Sequence, residues 1–407
     1  MKQMNRNKTL VVPMLIMVGM FSALGFAVGI DAFFIPFVEE AFDISTTMSY
    51  LVMTATFASF VFFSVPSGIL IKKTGYKGGM VVAFVLLALS FLLISVSAMI
   101  ESFPMFLGAL FVNGMGRVVL NAAVNPYITV IGPQESAARR ISVMGISNKV
   151  SYAAASLILA IFMDLSDVDI KDVIVPFFAI AGIMLVVGLL SYFAPLPEVE
   201  AQGESDVSHE RLPEDLRTAN SKDGILQFPH LVLGVIAYFF YTGAEVTALG
   251  SINHYAVVLG MPSPENYVWL TSLAMVIGYV FGIVLIPGKL SQVNALRLSA
   301  VLGAVLSIFI AILPDCISIY MLAAMGLANA LILPAIWPLS LAGLGKFTKI
   351  GSGFLVMGGI GGAVIPLLYG GLVDASIPSP WAYCIIFLPS YLYILYFGTK
   401  GYLIRTK

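Results

Sequence analysis

The stretch Gly114-Met-Gly-Arg-Val-Val-Leu-Asn-Ala-Ala-Val-Asn-Pro-Tyr-Ile-Thr-Val-Ile-Gly-Pro133 is largely apolar but carries polar side chains at intervals of four residues. These are Arg117, Asn121 and Asn125, and residues four apart lie on one face of an α-helix. The surrounding apolar run, 103–131, is longer than the roughly 20 residues that a bilayer-spanning helix needs. The stretch therefore predicts a transmembrane helix whose polar face lines a cavity.

Similar apolar runs recur along the whole chain, which is 59% hydrophobic and 11% charged, whereas soluble domains are about 25% charged. No alternating pattern typical of a membrane β-barrel appears. The sequence predicts an all-α integral membrane protein with 12 transmembrane helices. The predicted spans are 10–37, 48–71, 78–98, 103–131, 141–163, 173–194, 230–256, 267–287, 295–314, 317–345, 351–374 and 380–403.

The basic residues predict the orientation of these helices. All of the 21 Lys and Arg residues except Lys171, Arg117 and Lys149 fall in the termini or in every second loop. Short loops rich in Lys and Arg stay in the cytoplasm during insertion. Both termini are therefore expected to be cytoplasmic. The compact chain, with its short loops, is typical of a protein of a bacterial inner membrane. Arg117 and Lys149 instead fall inside apolar runs, where basic residues are usually functional.

A segment rich in Glu, Asp, Ser and Pro interrupts the apolar runs at 195–229. Such a composition predicts a linker rather than a packed element. The chain is therefore expected to consist of an N-terminal six-helix half at 1–194, a cytoplasmic linker at 195–229 and a C-terminal six-helix half at 230–407.

Several motifs in order along the chain resemble the fucose/glucose/galactose proton symporter family of the major facilitator superfamily. They are the Gly114-x-Gly116 and Asn125-Pro126-Tyr127 elements, the loop Gly68–Lys77, Tyr241-Thr-Gly-Ala-Glu245 and Gly351–Pro366. The resemblance implies two six-helix repeats in the major facilitator fold. It also implies proton-coupled sugar import by alternating access, with a substrate site near the midplane between the halves.

The chain departs from this family at positions that matter for coupling. The resemblance places an acid in span 1 four residues before Pro36, but Ala32 stands there and Asp31 lies one residue earlier. At the position four residues before the Asn-Pro element, where fucose carriers have Glu, the chain has Asn121, which carries no proton. Lys72 replaces the usual acid of the loop after span 2. The coupling acid is therefore not simply inherited.

Four ionisable residues fall within the predicted spans, namely Asp31, Arg117, Lys149 and Glu245. A charged residue at the centre of a membrane helix costs roughly 2.5–3.5 kcal/mol, so such residues are expected to be paired and to face the interior. An acid beside Arg stays ionised, whereas a desolvated acid takes up a proton. Our hypothesis is that Asp31 is the proton-coupling site and that Glu245 is the second choice.

Arg117 has two possible roles. In the first role, it binds an anionic substrate directly, because a guanidinium can donate two parallel hydrogen bonds to one carboxylate. Alternatively, it pairs permanently with Asp31 and leaves the substrate neutral.

Amide and aromatic side chains are the expected sugar ligands, because rings stack on apolar sugar faces and amides bond hydroxyl groups. Pro334 and Pro338 flank Trp337 and predict a kinked or broken helix, a usual place for a binding site. Asn148 corresponds to an Asn of the resembled family. The predicted substrate-binding residues are Arg117, Asn121, Asn125, Asn148, Lys149, Tyr152, Tyr241, Asn253, Asn329 and Trp337, with His254 as a further candidate.

The predicted function is secondary active transport, namely proton-coupled import of a monosaccharide or a sugar derivative. The alternatives are an exporter of a drug or metabolite and a non-transporting membrane sensor. The sequence contains no nucleophile motif, metal-ligand cluster or cofactor fingerprint, so we expect neither an enzyme nor a cofactor or metal site. The expected partners are a sugar-like solute, a proton or Na⁺ and the lipid bilayer. Nucleic acid is not expected, and the protein is expected to be a monomer.

Overall fold

A computed structural model of the chain describes residues 2–44, 48, 51–159, 161–162, 169–199, 219–262 and 267–404. Within these ranges the regular structure is helical and no strand occurs. The prediction of an all-α chain is therefore confirmed for the part that the structure describes. Most of the predicted linker, 200–218, lies outside it.

In the part of the chain that the structure describes, six long α-helices precede the linker. Phe63 separates the second from the third, and the third contains a turn at Gly75, whose φ of 75° and ψ of 172° are not helical. A positive φ strains residues with a Cβ, so glycine suits this turn between two predicted spans. The helices are α1 Lys2–Ala41, α2 Leu51–Phe62, α3 Ser64–Met99, α4 Phe103–Val130, α5 Ala137–Leu159 and α6 Ile174–Phe193.

Among the described residues, eight α-helices follow the linker, because two of the predicted spans are each divided. Leu331 separates the two segments of one span, and the short 3₁₀ turn Met357–Ile360 interrupts the other. The helices are α7 Pro229–Val258, α8 Tyr267–Leu285, α9 Gln292–Ile312, α10 Asp315–Ala330, α11 Ile332–Leu341, α12 Thr348–Val356, α13 Gly361–Asp374 and α14 Ser379–Thr399.

Each of the twelve predicted spans contains helical structure in its described residues. Within the described ranges, ten segments are long and apolar enough to cross a membrane. Helix α2 is a shorter apolar helix of 12 residues. Helix α5 is not among the ten; Arg139, Arg140 and Lys149 make it less hydrophobic than its neighbours.

The chain forms two compact units. The first contains Met1–Tyr127 and Ser147–Val199, and the second contains Ile128–Ile146 and Glu200–Lys407. The division into halves at 1–194 and 230–407 stays a prediction.

In the first unit, helix α1 is packed closely on two sides. A Cβ at Gly25 would lie 2.0 Å from the carbonyl oxygen of Asn148, and one at Gly29 would lie 2.3 Å from that of Tyr152, so α1 and α5 touch through their backbones. Farther along α1, the ring of Phe34 lies 4.9 Å from that of Phe106 and 5.1 Å from that of Phe177. These contacts hold the segment of α1 between them, which contains Asp31.

In the second unit, glycines pack against helix α7. A Cβ at Gly361 would lie 1.9 Å from the carbonyl oxygen of Phe239, and one at Gly358 would lie 2.4 Å from that of Val235. On α7, a Cβ at Gly243 would lie 2.2 Å from the side chain of Ile365. Close backbone contact of this kind is typical of membrane helices. It fixes the part of α7 that carries Tyr241 and Glu245.

Candidate functional site

The first unit contains a buried ion pair between α1 and α4. Nη1 of Arg117 donates a hydrogen bond to Oδ2 of Asp31. The two side chains are 2% and 3% exposed. The guanidinium carbon also lies 5.7 Å from the centre of the Phe57 ring. This geometry matches the second role considered for Arg117, that of a partner of Asp31.

The ion pair retains hydrogen-bonding capacity. Within the described residues, Oδ1 of Asp31 and Nε of Arg117 have no hydrogen-bond partner, although both atoms are buried. Buried polar atoms without a partner are rare in folded proteins. One acceptor and one donor are therefore available to a polar solute beside the pair.

An amide ladder continues from this pair along α4. Nδ2 of Asn121 donates to the carbonyl oxygen of Arg117 at 3.1 Å. Nδ2 of Asn125 then donates to the carbonyl oxygen of Asn121 at 3.2 Å and to its Oδ1 at 3.1 Å. The four-residue spacing thus forms a hydrogen-bonded series in which each amide orients the next. Asn121 is half-buried, whereas Asn125 is buried.

Helix α5 carries three further predicted residues, Asn148, Lys149 and Tyr152. Nδ2 of Asn148 donates to the carbonyl oxygen of Phe21 at 3.1 Å, so this amide helps to tie α5 to α1. Nζ of Lys149 lies 5.8 Å from the centre of the Tyr152 ring. All three side chains are half-buried. Asn148, Tyr152 and Asp31 therefore lie on segments that meet along α1.

The second unit contains a carboxyl group among tyrosines. Glu245 of α7 is 9% exposed. Its carboxyl group lies within electrostatic range of Tyr241, Tyr279 and Tyr391. The Tyr279 ring is seated against Gly145, where a Cβ would lie 2.5 Å from a ring atom.

Aromatic rings connect this carboxyl group to Trp337. The Tyr238 ring lies 6.1 Å from the Tyr241 ring and 6.1 Å from the Trp337 ring. Tyr391 donates from its hydroxyl to Oδ1 of Asn329 at 2.8 Å. Within the described residues, Nδ2 of Asn329 and Nε1 of Trp337 are buried donors without an acceptor. Two donors that a hydroxylated solute could satisfy therefore lie in this unit.

The helix break predicted near Trp337 occurs at Leu331, between Asn329 and Trp337. Pro334 lies in the first turn of α11, and Pro338 lies inside it. A proline removes a backbone donor and disfavours a continuous helix. The break separates the segment that carries Asn329 from the one that carries Trp337.

Asn253 has a different environment from the other predicted residues of this unit. Its Oδ1 accepts a hydrogen bond from the backbone N–H of Val268 at 3.0 Å, near the start of α8. It lies eight residues beyond Glu245, or about 12 Å along the helix. The side chain of His254 lies outside the described part of the structure.

Tyr238, Tyr279 and Tyr391 were not predicted from the sequence. None belongs to one of the motifs above, and an aromatic residue in an apolar run has no distinctive spacing. A tyrosine in mid-span nevertheless carries a hydroxyl that needs a partner in the membrane, and this was the available signal.

Comparisons with known proteins agree with this architecture. The family model described as Major Facilitator Superfamily matches residues 15–366. A glucose/galactose transporter of Brucella abortus biovar 1 (strain 9-941) is 28% identical over 401 residues, covering 94% of this chain and 92% of the relative. The L-fucose-proton symporter of Escherichia coli (strain K12) is 26% identical over 407 residues, covering 94% and 91%.

A solved structure has the same fold. The crystal structure of the transporter FucP in the outward conformation superposes with a TM-score of 0.81 at 24% sequence identity, covering 96% of this chain and 99% of that chain. The predicted major facilitator fold is therefore confirmed. The family model also spans most of the chain, so this protein belongs to the Major Facilitator Superfamily and is a membrane transporter rather than an enzyme.

Proposed function

We propose that this protein is a proton-coupled symporter that imports a neutral monosaccharide by alternating access. Its relatives include proteins named as glucose/galactose transporters and L-fucose-proton symporters, which match over at least nine-tenths of their length. The observation that carries the proposal is the buried pair of Asp31 and Arg117 beside the amide ladder of α4. It combines a carboxyl group that can exchange a proton with amides that can bind hydroxyl groups.

The pair favours a neutral substrate over an anionic one. Nη1 of Arg117 donates to Asp31, so the positive charge that would bind a substrate carboxylate already has a carboxylate partner. The paired charges also compensate each other, so the site does not require a negative charge from the solute. An acidic sugar would introduce a second carboxylate beside Asp31 without a second cation from the pair.

The buried donors of the second unit suit a sugar. Nε1 of Trp337 and Nδ2 of Asn329 have no acceptor within the described residues, and sugar oxygens are acceptors. The rings of Tyr238, Tyr241 and Trp337 supply apolar surface, on which a sugar ring can stack. These donors and rings belong to the predicted substrate residues or lie beside them. Neither feature requires a negative charge on the solute.

Coupling is proposed to use competition for one carboxylate. Arg117 pairs with Asp31 in this structure, and a proton is the alternative partner when the two side chains separate. Glu245, which lies among tyrosine hydroxyls, is the second candidate for the proton site. Na⁺ would use the same carboxylates, so the experiment must vary the two ions separately.

We also propose that both termini are cytoplasmic, because Lys and Arg are concentrated in the termini and in every second loop. The protein is proposed to act as a monomer in a bacterial inner membrane, with the lipid bilayer as its surroundings.

Uptake by proteoliposomes tests the proposal. Radiolabelled D-glucose, D-galactose and L-fucose are supplied beside D-glucuronate and D-galacturonate, with an imposed inward proton gradient or, separately, an inward Na⁺ gradient. We expect accumulation of at least one neutral sugar with the proton gradient alone. Accumulation of the acidic sugars instead, or dependence on Na⁺, would reject the corresponding part of the proposal.

The variant Arg117→Gln distinguishes the two roles of the arginine. With a neutral substrate, we expect the KM to change by less than about tenfold, which is 1.4 kcal/mol. Loss of transport confined to acidic sugars would make Arg117 an anion-binding residue. Substitution of the exposed Lys171 by Gln is the matched control for removal of a positive charge, because its partner Glu101 is also exposed.

A further inference from the structure

The second unit contains a cavity that is separate from the residues discussed above. It has a volume of about 470 Å³ and lies at the ends of α7 and α9 and the beginnings of α10 and α14. Its lining includes Tyr255, Asp315, Ser376, Ser379 and Trp381. We call it the outer cavity. Its size falls within the range of roughly 300–1,000 Å³ typical of small-molecule sites.

The outer cavity lies on the face opposite the linker. Helix α7 begins at Pro229, next to the linker, and reaches the cavity at its other end through Tyr255 and Val258. The loops at this end, which follow α7, α9 and α13, contain no Lys or Arg. The positive-inside rule therefore places this end away from the cytoplasm, where an imported solute first arrives.

The lining is suited to a neutral hydroxylated ring. None of the described lining residues is Lys, Arg or His, so the cavity has no cation for a phosphate or an acidic sugar. Asp315 offers carboxylate oxygens that accept hydrogen bonds, and Ser376 and Ser379 offer hydroxyl groups. Trp381 is 51% exposed, so part of its indole is available for stacking.

The turn that carries half of this lining is well defined. Ser376 has a φ of 64°, and the N–H of Ile377 donates to the carbonyl oxygen of Leu372 at 3.1 Å. Helix α14 begins at Ser379, so Trp381 lies in its first turn. The serines and the tryptophan are therefore held on a hydrogen-bonded turn followed by a helix.

The wall of the outer cavity is continuous with the proposed sugar residues. Tyr255 is buried behind the cavity, and its ring lies 5.5 Å from that of Tyr383. The Phe387 ring follows at 5.5 Å, and the Tyr391 ring at 6.4 Å. Tyr391 then donates to Asn329. A column of packed rings on α14 thus runs from the cavity to one of the unsatisfied amides.

We propose that the outer cavity is a capture site for a neutral monosaccharide, which binds there by stacking on Trp381 and by hydrogen bonds to Asp315. This inference rests on the proposed function and adds a second sugar site to it. The site raises the occupancy of the carrier at low external sugar. It is not required for translocation itself.

Uptake kinetics test the site first. Trp381→Ala and Asp315→Asn are each expected to raise the KM for uptake by about 3- to 10-fold, the loss of one aromatic or hydrogen-bonded contact, with an unchanged maximal rate. Trp269→Ala is the matched control. Trp269 is 44% exposed, lies in the first turn of α8 and does not line the cavity. An unchanged KM in both cavity variants, or an equal rise in the control, would overturn the proposal.

Binding is observed directly by ¹⁹F NMR of protein labelled with 5-fluorotryptophan. The chain has 3 tryptophans, which can be assigned by substituting Trp269 and Trp381 with Phe. We expect D-galactose to shift the resonance of Trp381. A shift with choline but not with sugar would identify a cation site, and no shift with either would make Trp381 a membrane-interface anchor; both outcomes overturn the capture site. Wild-type protein without sugar uptake would instead reject the proposed function.

Discussion

At the scale of single residues, Asp31 and Arg117 each depend on the other. Both side chains are almost fully buried, and an uncompensated charge inside a protein is expensive. Their positions, 86 residues apart in the sequence, become adjacent because α1 and α4 belong to the same unit. Neither residue would be expected to persist in its buried position without its partner.

This dependence gives a prediction for stability. Asp31→Asn and Arg117→Gln should each lower the free energy of unfolding by about 3–5 kcal/mol, because each leaves one buried charge uncompensated. The double variant should lose clearly less than the sum of the two. Thermal unfolding in detergent measures these differences. Additive losses would mean that the pair is not coupled.

The exposed pair Lys171 and Glu101 serves as the control for this prediction. Its atoms are 3.0 Å apart, but the side chains are 58% and 59% exposed. The hydrogen bond that Lys171 donates to Glu101 raises the pKa of Lys171, so this side chain is protonated at neutral pH. Glu101→Gln should leave the melting temperature nearly unchanged, because exposed pairs contribute little.

At the scale of helices, close packing of α1 on α5 determines where Asp31 is placed. Gly25 and Gly29 face the backbone of α5 without space for a side chain. Gly25→Ala should therefore reduce both the amount of folded protein and the rate of transport, because its Cβ would meet a carbonyl oxygen of Asn148. Gly19→Ala, on the same helix, should have little effect, because a Cβ at Gly19 would lie more than 4 Å from any atom of another element. Equal effects of the two substitutions would contradict the proposed helix contact.

Some elements could be predicted from the sequence because one physical rule determines them. Apolar length located the spans, and the high cost of buried charge indicated that Arg117 needs an acid. The break at Leu331 was also anticipated, because Pro334 has no N–H to donate to the preceding turn.

Other features depend on contacts that no local pattern encodes. From the sequence, Arg140 is interpreted as a basic loop residue that fixes topology. In the structure it is buried and donates to the carbonyl oxygens of Ile128, Thr129 and Pro133 at 2.8–2.9 Å, thereby capping the end of α4. Burial lowers the pKa of Arg140 to about 10, which leaves the side chain protonated at neutral pH. Tyr279 likewise reaches Glu245 through tertiary packing, which a single sequence does not reveal.

At the scale of the whole molecule, transport couples the movement of a sugar to the movement of a proton, and no single contact can do this. The carrier must return empty in one ionisation state and loaded in another, so at least one carboxyl group must exchange a proton during the cycle. Asp31 and Glu245 are the buried acids in the described spans of the two units, one in each. Each can therefore be tested by a substitution that removes the proton but keeps the shape.

Uphill accumulation and counterflow separate coupling from binding. Counterflow exchanges labelled for unlabelled sugar without net proton movement, whereas accumulation against a gradient requires proton release inside. If Asp31 is the coupling site, Asp31→Asn should abolish accumulation, because an amide does not ionise, and should retain counterflow at a reduced rate. Glu245→Gln should then retain both, and counterflow in each variant reports that the protein is folded. The reverse pattern would assign coupling to Glu245, and accumulation that persists with its pH dependence in Asp31→Asn would remove Asp31 from the mechanism.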